Sequence, residues 1–370
     1  MSEEQKRVRE NAAKKIDIAA IDPNLKVSQA ENLQDIVFQN VQKAPFQVYG
    51  LYQPQSMEPF CRMPDSVAQT VSPGVADLNR NTSGGRVRFM TNSRRIVIRA
   101  AMPSICRLSH MPLTGTSGFD LYETIGGQTI YIHTFVPPVD MESGYLSEVI
   151  FPEGNMRSFT LYFPLYNAVD CLEIGVEKGA HVESGTPYRW DTPVVYYGSS
   201  ITQGGCASRP GNAYPAVISR RYDCDFINLG FSGNAKGEPA MAEYLSTLNM
   251  SVFVCDYDHN APSVEHLENT LKPLVAAVRK AQPQLPIVLV SRPNIHTDNP
   301  ADIRRREIVR SVYQQYLDAG DKRMRFIDGE SLFREMYSDS CTVDGCHPND
   351  LGMIRMADVI GPVVGELLEK

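Results

Sequence analysis

Residues 193–204 read Pro-Val-Val-Tyr-Tyr-Gly-Ser-Ser-Ile-Thr-Gln-Gly, an apolar run that stops at a glycine and two serines. Such a run, bounded by turn residues, predicts a strand that ends in a tight turn. Downstream of it, further strand-like runs alternate with segments of helical periodicity. Strand–helix alternation of this kind predicts a parallel sheet with helices on both faces.

The predicted strands are Val194–Tyr197, Asp225–Leu229, Val252–Asp256, Ile287–Ser291 and Arg325–Ile327. The predicted helices are Ala213–Tyr222, Glu238–Leu248, Val264–Ala281, Asp302–Ala319 and about Asn349–Leu368, the last with Asn349-Asp350 as its N-cap. Ligands of such sheets bind beyond the carboxyl ends of the strands. The candidate functional residues that follow those strand ends are Ser200, Gly233, Asn260, Asp344 and His347.

Upstream of residue 190 the pattern changes to short runs of alternating polar and apolar residues, separated by turn clusters. These runs are Arg86–Phe89, Arg95–Ala101, Gln128–His133 and Ser158–Pro164. The pattern predicts an all-β sandwich of jelly-roll type. We expect an N-terminal helical or extended segment over residues 1–44, the sandwich over 45–188 and the α/β domain over 189–370.

Composition excludes several classes of protein. The length of 370 residues suggests two domains, and the net charge of −7 is spread along the chain without a basic stripe, which argues against nucleic acid as a partner. No apolar run approaches the ~20 residues of a membrane span. Residues 1–15 are charged and carry no signal-peptide core, which predicts a cytoplasmic protein; a secreted or periplasmic chain that has lost its leader is the alternative. The oligomeric state is left open.

Eight cysteines in 370 residues are too few to indicate a disulfide framework. Cys341 and Cys346 are close in sequence, and both reduced thiols and a disulfide between them remain open. With His347 the same two cysteines suggest zinc, but a structural site needs four ligands and no second cluster has ligand spacing. We therefore expect no metal and no organic cofactor.

The loop Asp344-Gly345-Cys346-His347-Pro348 places an acid and an imidazole three residues apart. With Ser200 it supplies a nucleophile, a base and an orienting carboxylate, the three parts of serine hydrolysis. Cys346 is a weaker candidate nucleophile, because adjacent residues of a turn rarely direct both side chains at one substrate. The serine, histidine and aspartate are predicted to meet only if this loop folds against the end of the first strand of the sheet.

At these residues the chain resembles the SGNH hydrolases, the GDSL-type esterase and lipase superfamily. Its four matching blocks are Gly198-Ser199-Ser200, Asn228–Gly233, Asp258–Ala261 and Asp344–Pro348. The resemblance implies a flavodoxin-like three-layer α/β/α domain in which Ser200, His347 and Asp344 are catalytic. It also implies an oxyanion hole formed by Ser200, Gly233 and Asn260. An α/β-hydrolase fits less well, because threonine stands at the last glycine of its G-x-S-x-G motif.

Ser199 replaces the acid that normally precedes the nucleophile, and Asp258 and Ala261 replace the glycine and aspartate of the third block. No proton-transfer group is lost by these changes. Upstream, Gly118–Tyr122 is similar to the G-x-D-L-Y signature of β-rich domains that precede some SGNH esterases. Both matches predict a carboxylic-ester hydrolase with an added β domain, which binds sugar, borders the cleft or mediates oligomerisation.

Polar residues near the expected cleft favour a polar substrate, with a short acyl group such as acetate on a carbohydrate as the preferred hypothesis. Asp258, His259 and Arg292 are the candidate substrate-binding residues; Arg209, Asn212, Asn294 and His296 are further polar residues at the mouth. His110, His133 and His181 are interpreted as surface or sheet histidines. A catalytically silent glycan-binding protein and an O-acyltransferase that uses the same triad are the alternatives.

Overall fold

The computed structural model describes residues 18–22, 27, 30–56, 58–293, 299–334 and 336–370. Most of the expected N-terminal segment, residues 1–17, 23–26 and 28–29, lies outside the described residues. Within the described part of that segment are the short helix α1 (Ile18–Ile21) and the strand β1 (Ile36–Asn40). The polar residues Asn294 and His296 also lie outside the described residues.

The upstream region is a sandwich of two antiparallel sheets. Its strands after β1 are β2 (Gln47–Tyr49), β3 (Arg86–Thr91), β4 (Arg95–Ala101), β5 (Phe119–Ile125), β6 (Gln128–Phe135), β7 (Gly144–Ile150), β8 (Arg157–Tyr162), β9 (Cys171–Glu177) and β10 (Val182–Ser184). One sheet has the order β1-β9-β4-β7, and the other has the order β10-β3-β8-β5-β6, with β2 also paired to β3. The strand β1, which precedes the expected boundary at residue 45, pairs with β9 and is part of the sandwich.

One apolar core joins the two sheets. Phe89 and Leu161 come from the larger sheet, Ile98 and Ile174 come from the smaller one, and all four are buried in one cluster. Because side chains alternate across a strand, each sheet directs every second residue into this core. The predicted β-sandwich is confirmed as the fold of the N-terminal part.

The sandwich is interrupted by two helices that the sequence pattern did not predict, α2 (Asp65–Val71) and α3 (Pro73–Asn79). Ser72 caps α3, since its hydroxyl accepts a hydrogen bond from the Val75 N–H at 3.1 Å. At seven residues each, the helices are too short to show a clear 3.6-residue period. Ala68 and Val75 are buried in the core of the downstream domain, so these helices belong to the contact between the two halves.

The downstream half contains one parallel sheet. Its strands are β11 (Trp190–Gly198), β12 (Cys224–Gly230), β13 (Val252–Asp256), β14 (Ile287–Val290) and β15 (Met324–Ile327), in the order β12-β11-β13-β14-β15. The helices are α4 (Leu113–Thr116) in the sandwich region, followed by α5 (Ser200–Gln203), α6 (Tyr214–Tyr222), α7 (Pro239–Thr247), α8 (Val264–Ala281), α9 (Pro300–Asp318) and α10 (Asp350–Leu368). The parallel α/β sheet expected from the alternation is confirmed, and its strand order is the flavodoxin-like one.

Both faces of β11 are buried, which explains its continuous apolar run. Val194 and Tyr196 pack in a core with residues of α6 and α10, whereas Val195 and Tyr197 pack in a second core with residues of α7, α8 and α9. The strand that follows β11 in sequence, β12, lies on one side of it, and the next strand, β13, lies on the other side, so the strand order reverses at β11. In a sheet of this order, that switch point is where a ligand crevice forms beyond the carboxyl ends of the strands.

The Gly118–Tyr122 segment joins the two halves. Asp120 on β5 is fully buried and accepts hydrogen bonds from the Thr134 hydroxyl at 2.7 Å, the Gly211 N–H at 2.8 Å and the Arg209 guanidinium at 2.9 Å. Arg209 also donates to the Tyr122 hydroxyl at 2.6 Å. The aspartate and tyrosine of this signature therefore hold the loop that follows α5 in the downstream domain.

Replacing Asp120 with alanine is expected to lower the free energy of unfolding by about 3–5 kcal/mol, because it leaves the partly buried Arg209 guanidinium and two other donors without their acceptor. Urea unfolding of the full-length chain measures this change. Asp140→Ala, which removes an exposed carboxylate of the same sandwich, is the control and is expected to stay within about 0.5 kcal/mol of the wild type. Equal losses in both variants contradict the proposed contact.

Among the described residues, no helix is both long enough and apolar enough to span a membrane.

Candidate active site

The strand β11 delivers Ser200 to the centre of the sheet's carboxyl edge. Ser199 caps the short helix α5, with its hydroxyl accepting a hydrogen bond from the Ile201 N–H at 3.2 Å, and Ser200 is the first helical residue. Gly198 must be glycine, because a Cβ there would lie 1.6 Å from Oδ1 of Asp256. The close packing beneath Gly198 fixes the turn that carries the Ser200 hydroxyl.

The Asp344–His347 loop is closed by its own hydrogen bonds. Oδ1 of Asp344 accepts from the backbone N–H groups of Cys346 at 3.0 Å and His347 at 2.7 Å, and the Val343 N–H donates to the His347 carbonyl at 2.9 Å. Gly345 has a φ of +80°, which suits a residue without a β-carbon. This local folding explains why three residues of spacing suffice to bring the carboxylate to the ring.

The two segments meet, so that Ser200, His347 and Asp344 form one chain of hydrogen bonds. Oδ2 of Asp344 lies 2.7 Å from Nδ1 of His347, and Nε2 of His347 lies 2.9 Å from Oγ of Ser200. With a proton on Nδ1 donated to the carboxylate, Nε2 is free to accept the serine proton. The geometry is therefore that of a nucleophile with its base and the base's orienting acid.

Asp344 is held in its ionised form. Partial burial raises its pKa, but hydrogen bonds from the backbone and ring of His347 and from the Cys346 N–H lower it more, and the resulting pKa is about 2. The carboxylate is therefore negatively charged at any pH at which the protein is expected to work. A permanent negative charge at Nδ1 favours protonation of the ring at Nε2 during a reaction.

The two other oxyanion-hole candidates follow the strands on either side of β11, since Gly233 comes after β12 and Asn260 after β13. Gly233 is exposed and has a φ of +69°, and among the described residues no atom outside its own chain neighbours lies within 4 Å of the place where a β-carbon would stand. The Asn260 amide donates to the Phe231 carbonyl at 2.8 Å, which ties the two loops together. Ser200, Gly233 and Asn260 thus stand at three adjacent strand ends.

A buried arginine of the N-terminal half supports the loop after β12. Arg62 is 1% exposed, donates to the carbonyls of Asn228 at 3.2 Å and Leu78 at 2.7 Å, and lies 4.3 Å from the centre of the Phe231 ring. Burial lowers its pKa to about 9. Nothing in the sequence around residue 62 identifies this role, because Asn228 and Phe231, the parts of the loop that it contacts, lie more than 160 residues downstream.

Asp258, predicted to contact substrate, lies inside the protein. It is 2% exposed, its Oδ2 accepts from the Arg292 N–H at 3.0 Å, and its Oδ1 lies 3.2 Å from the Arg305 guanidinium. Arg305 also donates to the Ala261 carbonyl at 2.8 Å. With both carboxylate oxygens engaged, Asp258 supports the turn that carries Asn260 and presents no free oxygen to the cleft.

Arg292 and His259 lie behind the Asp344–His347 loop. The Arg292 guanidinium pairs with Asp302 at 2.9 Å, and Nδ1 of His259 faces the Cys346 sulfur at 3.8 Å. Burial, followed by the positive charge of Arg292, holds the pKa of His259 well below its usual range, so this ring is neutral. The structure therefore places both residues against the back of the site. Arg209, another candidate mouth residue, is engaged with Asp120.

A cleft of about 850 Å³ opens beside His347, the hydrogen-bond partner of Ser200. His347, Gly205 and Ser232 form its wall on the α/β side, and the opposite wall comes from the sandwich half, including His110 and Asn167. The His110 ring lies 5.6 Å from the His347 ring, although the sequence suggested only a surface or sheet histidine. No local pattern around residue 110 pointed to the cleft; the N-terminal half forms one side of it.

All eight cysteines are free, so Cys341 and Cys346 do not form a disulfide here. Cys341 is buried with its sulfur 3.6 Å from the Tyr337 carbonyl, whereas the Cys346 sulfur faces His259. The two thiols therefore lie in different environments.

Residues 191–365 match the model of the GDSL-like lipase/acylhydrolase family, and residues 36–182 match the model of the GxDLY domain, described as the N-terminus of SGNH-hydrolase-type esterases. No curated protein matches the chain in sequence. A solved structure from Bacteroides ovatus, assigned as a GDSL-like lipase, is 29% identical over 90% of this chain and 98% of its own, with a TM-score of 0.79.

Two more distant structures share the fold. A salicylyl-acyltransferase from a tetracycline biosynthetic pathway is 19% identical over 92% of this chain and 100% of its own, with a TM-score of 0.73. A family two carbohydrate esterase from Clostridium thermocellum, solved in complex with cellohexaose, is 15% identical over 78% of this chain and 94% of its own, with a TM-score of 0.58. At these identities the likeness concerns the fold.

Proposed function

Since this chain belongs to the SGNH hydrolases, with a GDSL-like acylhydrolase domain behind a GxDLY domain, we propose that it cleaves carboxylic esters through an acyl-enzyme on Ser200. The observation that carries the proposal is the unbroken chain of contacts from Ser200 Oγ to His347 Nε2 at 2.9 Å and from His347 Nδ1 to Asp344 Oδ2 at 2.7 Å. An ester-hydrolysing enzyme of this family needs those three groups in that order.

In the first half of the reaction, Nε2 of His347 accepts the hydroxyl proton as Ser200 Oγ attacks the ester carbonyl carbon. The tetrahedral intermediate then expels the alcohol, which takes the proton from His347. The Ser200 oxygen keeps the acyl group as an ester. In the second half, water gives a proton to His347 and attacks the acyl carbon, and the carboxylic acid leaves as Ser200 recovers its proton.

The negative charge that forms on the carbonyl oxygen requires hydrogen-bond donors that are already in place. The backbone N–H groups of Ser200 and Gly233 and the side-chain amide of Asn260 are the proposed donors. The arrangement of their loops at three adjacent strand ends supports this role, as does the open space over Gly233. One such donor typically contributes about 3–4 kcal/mol to the stabilisation of the transition state.

For the substrate, we propose a short acyl group, acetate first, on a polar alcohol such as a carbohydrate. Four polar side chains are among the lining residues of the cleft, beside apolar ones such as Ile105 and Leu108; they are Asp77, Asn81, Asn167 and Asn234. Several structures of the same fold, at 11–15% identity, are carbohydrate esterases, and one of them is an acetyl xylan esterase from Butyrivibrio proteoclasticus. The polar groups in the cleft favour a hydroxyl-rich alcohol, which can pair with them, over a long hydrocarbon chain, which would leave them unpaired.

Comparison of p-nitrophenyl esters of increasing acyl length tests the acyl preference. We expect kcat/KM for the acetate ester to exceed that for the palmitate ester by at least about tenfold, because a long acyl chain would cover the polar groups of Asp77, Asn81 and Asn234 without pairing them. Release of acetate from acetylated oligosaccharides, measured in a parallel assay, tests whether the alcohol part of the substrate is a carbohydrate. A faster reaction with the long-chain ester contradicts the proposed substrate class.

Acidification is expected to inactivate the enzyme, because a protonated His347 ring cannot accept the serine proton. Asp344, with a pKa of about 2, is expected to stay ionised while activity is lost, so the loss does not come from the carboxylate. Measurement of kcat/KM between pH 4 and 8 tests this expectation. Activity that is unchanged across this range counts against His347 as the base.

Acyl transfer to an alcohol is a second candidate function, favoured by the likeness to the salicylyl-acyltransferase. It uses the same acyl-enzyme and differs only in the nucleophile that accepts the acyl group. Product analysis with and without glycerol or a sugar as acceptor separates the two. An acylated acceptor formed in preference to free acid identifies a transferase, and free acid as the main product under both conditions identifies a hydrolase.

A further inference from the structure

Three side chains at the cleft bring soft ligand atoms close together. The ligand atoms of His110, Cys206 and His347 all lie within 4.8 Å of one another. They come from three separate parts of the chain: a loop of the sandwich before α4, the turn after α5, and the Asp344–His347 loop. Folding alone assembles this group, and it differs from the Cys341, Cys346 and His347 set that the sequence spacing suggested.

The chemistry of the group is that of a zinc site. Two imidazoles and one thiolate are preferred ligands of Zn²⁺, and sites with three protein ligands leave the fourth position to a water or another oxygen. Tetrahedral ligands at bonds of about 2.0–2.3 Å stand roughly 3.3–3.8 Å apart, so the group has to contract by about 1 Å. His110 is exposed on its loop, and a change of its side-chain rotamer can supply that contraction.

His347 already has the environment of a metal ligand. Metal-bound histidines usually donate their second ring N–H to a carboxylate, and Nδ1 of His347 makes this contact with Asp344 at 2.7 Å. Nε2 then points at Ser200 and is the atom that a cation can take. Cys206 has a φ of +68°, which is uncommon for a residue with a β-carbon, so its position is held by the surrounding turn.

We propose that His110, Cys206 and His347 form a binding site for Zn²⁺ and similar thiol-seeking divalent metals, and that the bound ion reversibly blocks the base of the reaction. The metal occupies Nε2 of His347, which then has no lone pair for the Ser200 proton. The proton of the Cys206 thiol leaves to solvent, and no bond is oxidised or reduced. The inhibition rests on the proposed function, whereas the binding of metal does not.

Binding is measured first, with Co²⁺ as a spectroscopic probe and Zn²⁺ in calorimetric titration of the full-length protein. We expect one ion per chain and a thiolate-to-cobalt charge-transfer band in the near ultraviolet. Cys206→Ser is expected to abolish the band, and His110→Ala to weaken Zn²⁺ binding by at least about tenfold. Cys346→Ser is the matched control, because this thiol lies next to His347 in sequence but faces His259 and is outside the group. This variant is expected to keep both the charge-transfer band and the affinity for Zn²⁺.

The same variants distinguish a metal site at His110, Cys206 and His347 from metal binding elsewhere on the protein. Binding of Zn²⁺ that is unaffected by His110→Ala and Cys206→Ser overturns the site, as does a charge-transfer band that disappears in Cys346→Ser. Because His110 is exposed, its replacement is expected to leave the fold intact, which circular dichroism checks. In the activity measurement, Zn²⁺ is expected to inhibit ester hydrolysis by the wild type, and a chelator is expected to restore the activity. The Zn²⁺ concentration that halves the rate is expected to be at least about tenfold higher for His110→Ala, with each protein compared with its own uninhibited rate.

A chain that binds the metal through these residues but hydrolyses no ester refutes the proposed function and leaves the metal site standing. A chain that hydrolyses esters without inhibition by Zn²⁺ refutes the inhibitory site and leaves the proposed function standing.

Discussion

Replacing Ser200 with alanine is expected to lower kcat for hydrolysis of p-nitrophenyl acetate by about 10⁴–10⁶-fold, since the oxygen that forms the acyl-enzyme is removed. The residual rate then reflects the proposed oxyanion-hole donors, which still polarise the carbonyl of the ester. The helix α5 keeps its cap from Ser199, and the His347–Asp344 contact does not involve the serine. A loss of this size without a change in unfolding temperature therefore reports chemistry and not folding.

Ser199→Ala is the matched control, because it removes a hydroxyl one residue away. Ser199 contributes the α5 cap, which is worth about 1 kcal/mol of stability, and makes no bond with the reacting groups in the proposed reaction. Its activity is expected to stay within about tenfold of the wild type. If Ser200→Ala and the wild type hydrolyse the ester at equal rates, the protein is better described by the alternative of a catalytically silent glycan-binding protein.

Replacing Asp344 with asparagine is expected to lower kcat by about 10⁴-fold. An amide at this position carries no charge, so it does not stabilise the imidazolium, and it also permits the wrong tautomer of His347. The loss arises from one atom pair, the contact of Oδ2 with Nδ1 at 2.7 Å, because the amide oxygen can still accept the backbone N–H groups of Cys346 and His347.

Steady-state kinetics with the acetate ester measures this effect, and Asp339→Asn is its control. Asp339 is exposed on the 3₁₀ turn Ser338–Cys341 just before the loop, so its replacement removes the same charge from the same region. We expect its kcat to remain within about threefold of the wild type, since screening weakens exposed charges. An Asp344→Asn variant as active as Asp339→Asn contradicts the proposed role of Asp344.

The part of the site that is local in sequence could be predicted. The Asp344–His347 contact forms within one closed loop. The strand β11 is recognisable in the sequence as a continuous apolar run, because both of its faces are buried. The order of the blocks at successive strand ends then places Ser200, Gly233 and Asn260 along one edge of the sheet. Each of these inferences depends on spacing of a few residues or on strand–helix alternation, which a sequence displays directly.

Proximity in sequence was misleading at Asp258. Its position two residues before Asn260 suggested a shared orientation toward substrate, but the segment Tyr257–Asn260 is a 3₁₀ turn. With about three residues per turn, side chains two apart point in directions that differ by roughly 120°. Asp258 therefore turns inward to Arg305, while the Asn260 amide reaches the Phe231 carbonyl.

The contribution of the N-terminal half could not be predicted from local patterns. Arg62 and His110 reach the site across the interface between the two halves, and neither sits in a periodic segment that marks it. Their roles depend on how the sandwich packs on the α/β domain. The Gly118–Tyr122 signature hinted at such a partnership, and its Asp120 and Tyr122 provide part of that packing through Arg209.

A fluorophosphonate probe, followed by mass spectrometry of the labelled peptide, tests the central claim most directly. The probe reacts with a serine only where a base activates the hydroxyl and donors stabilise the developing charge. We predict a single adduct on Ser200 that is absent from the Ser200→Ala and His347→Ala variants. An active preparation whose adduct maps to another residue, or which stays unlabelled while it hydrolyses esters, contradicts the account.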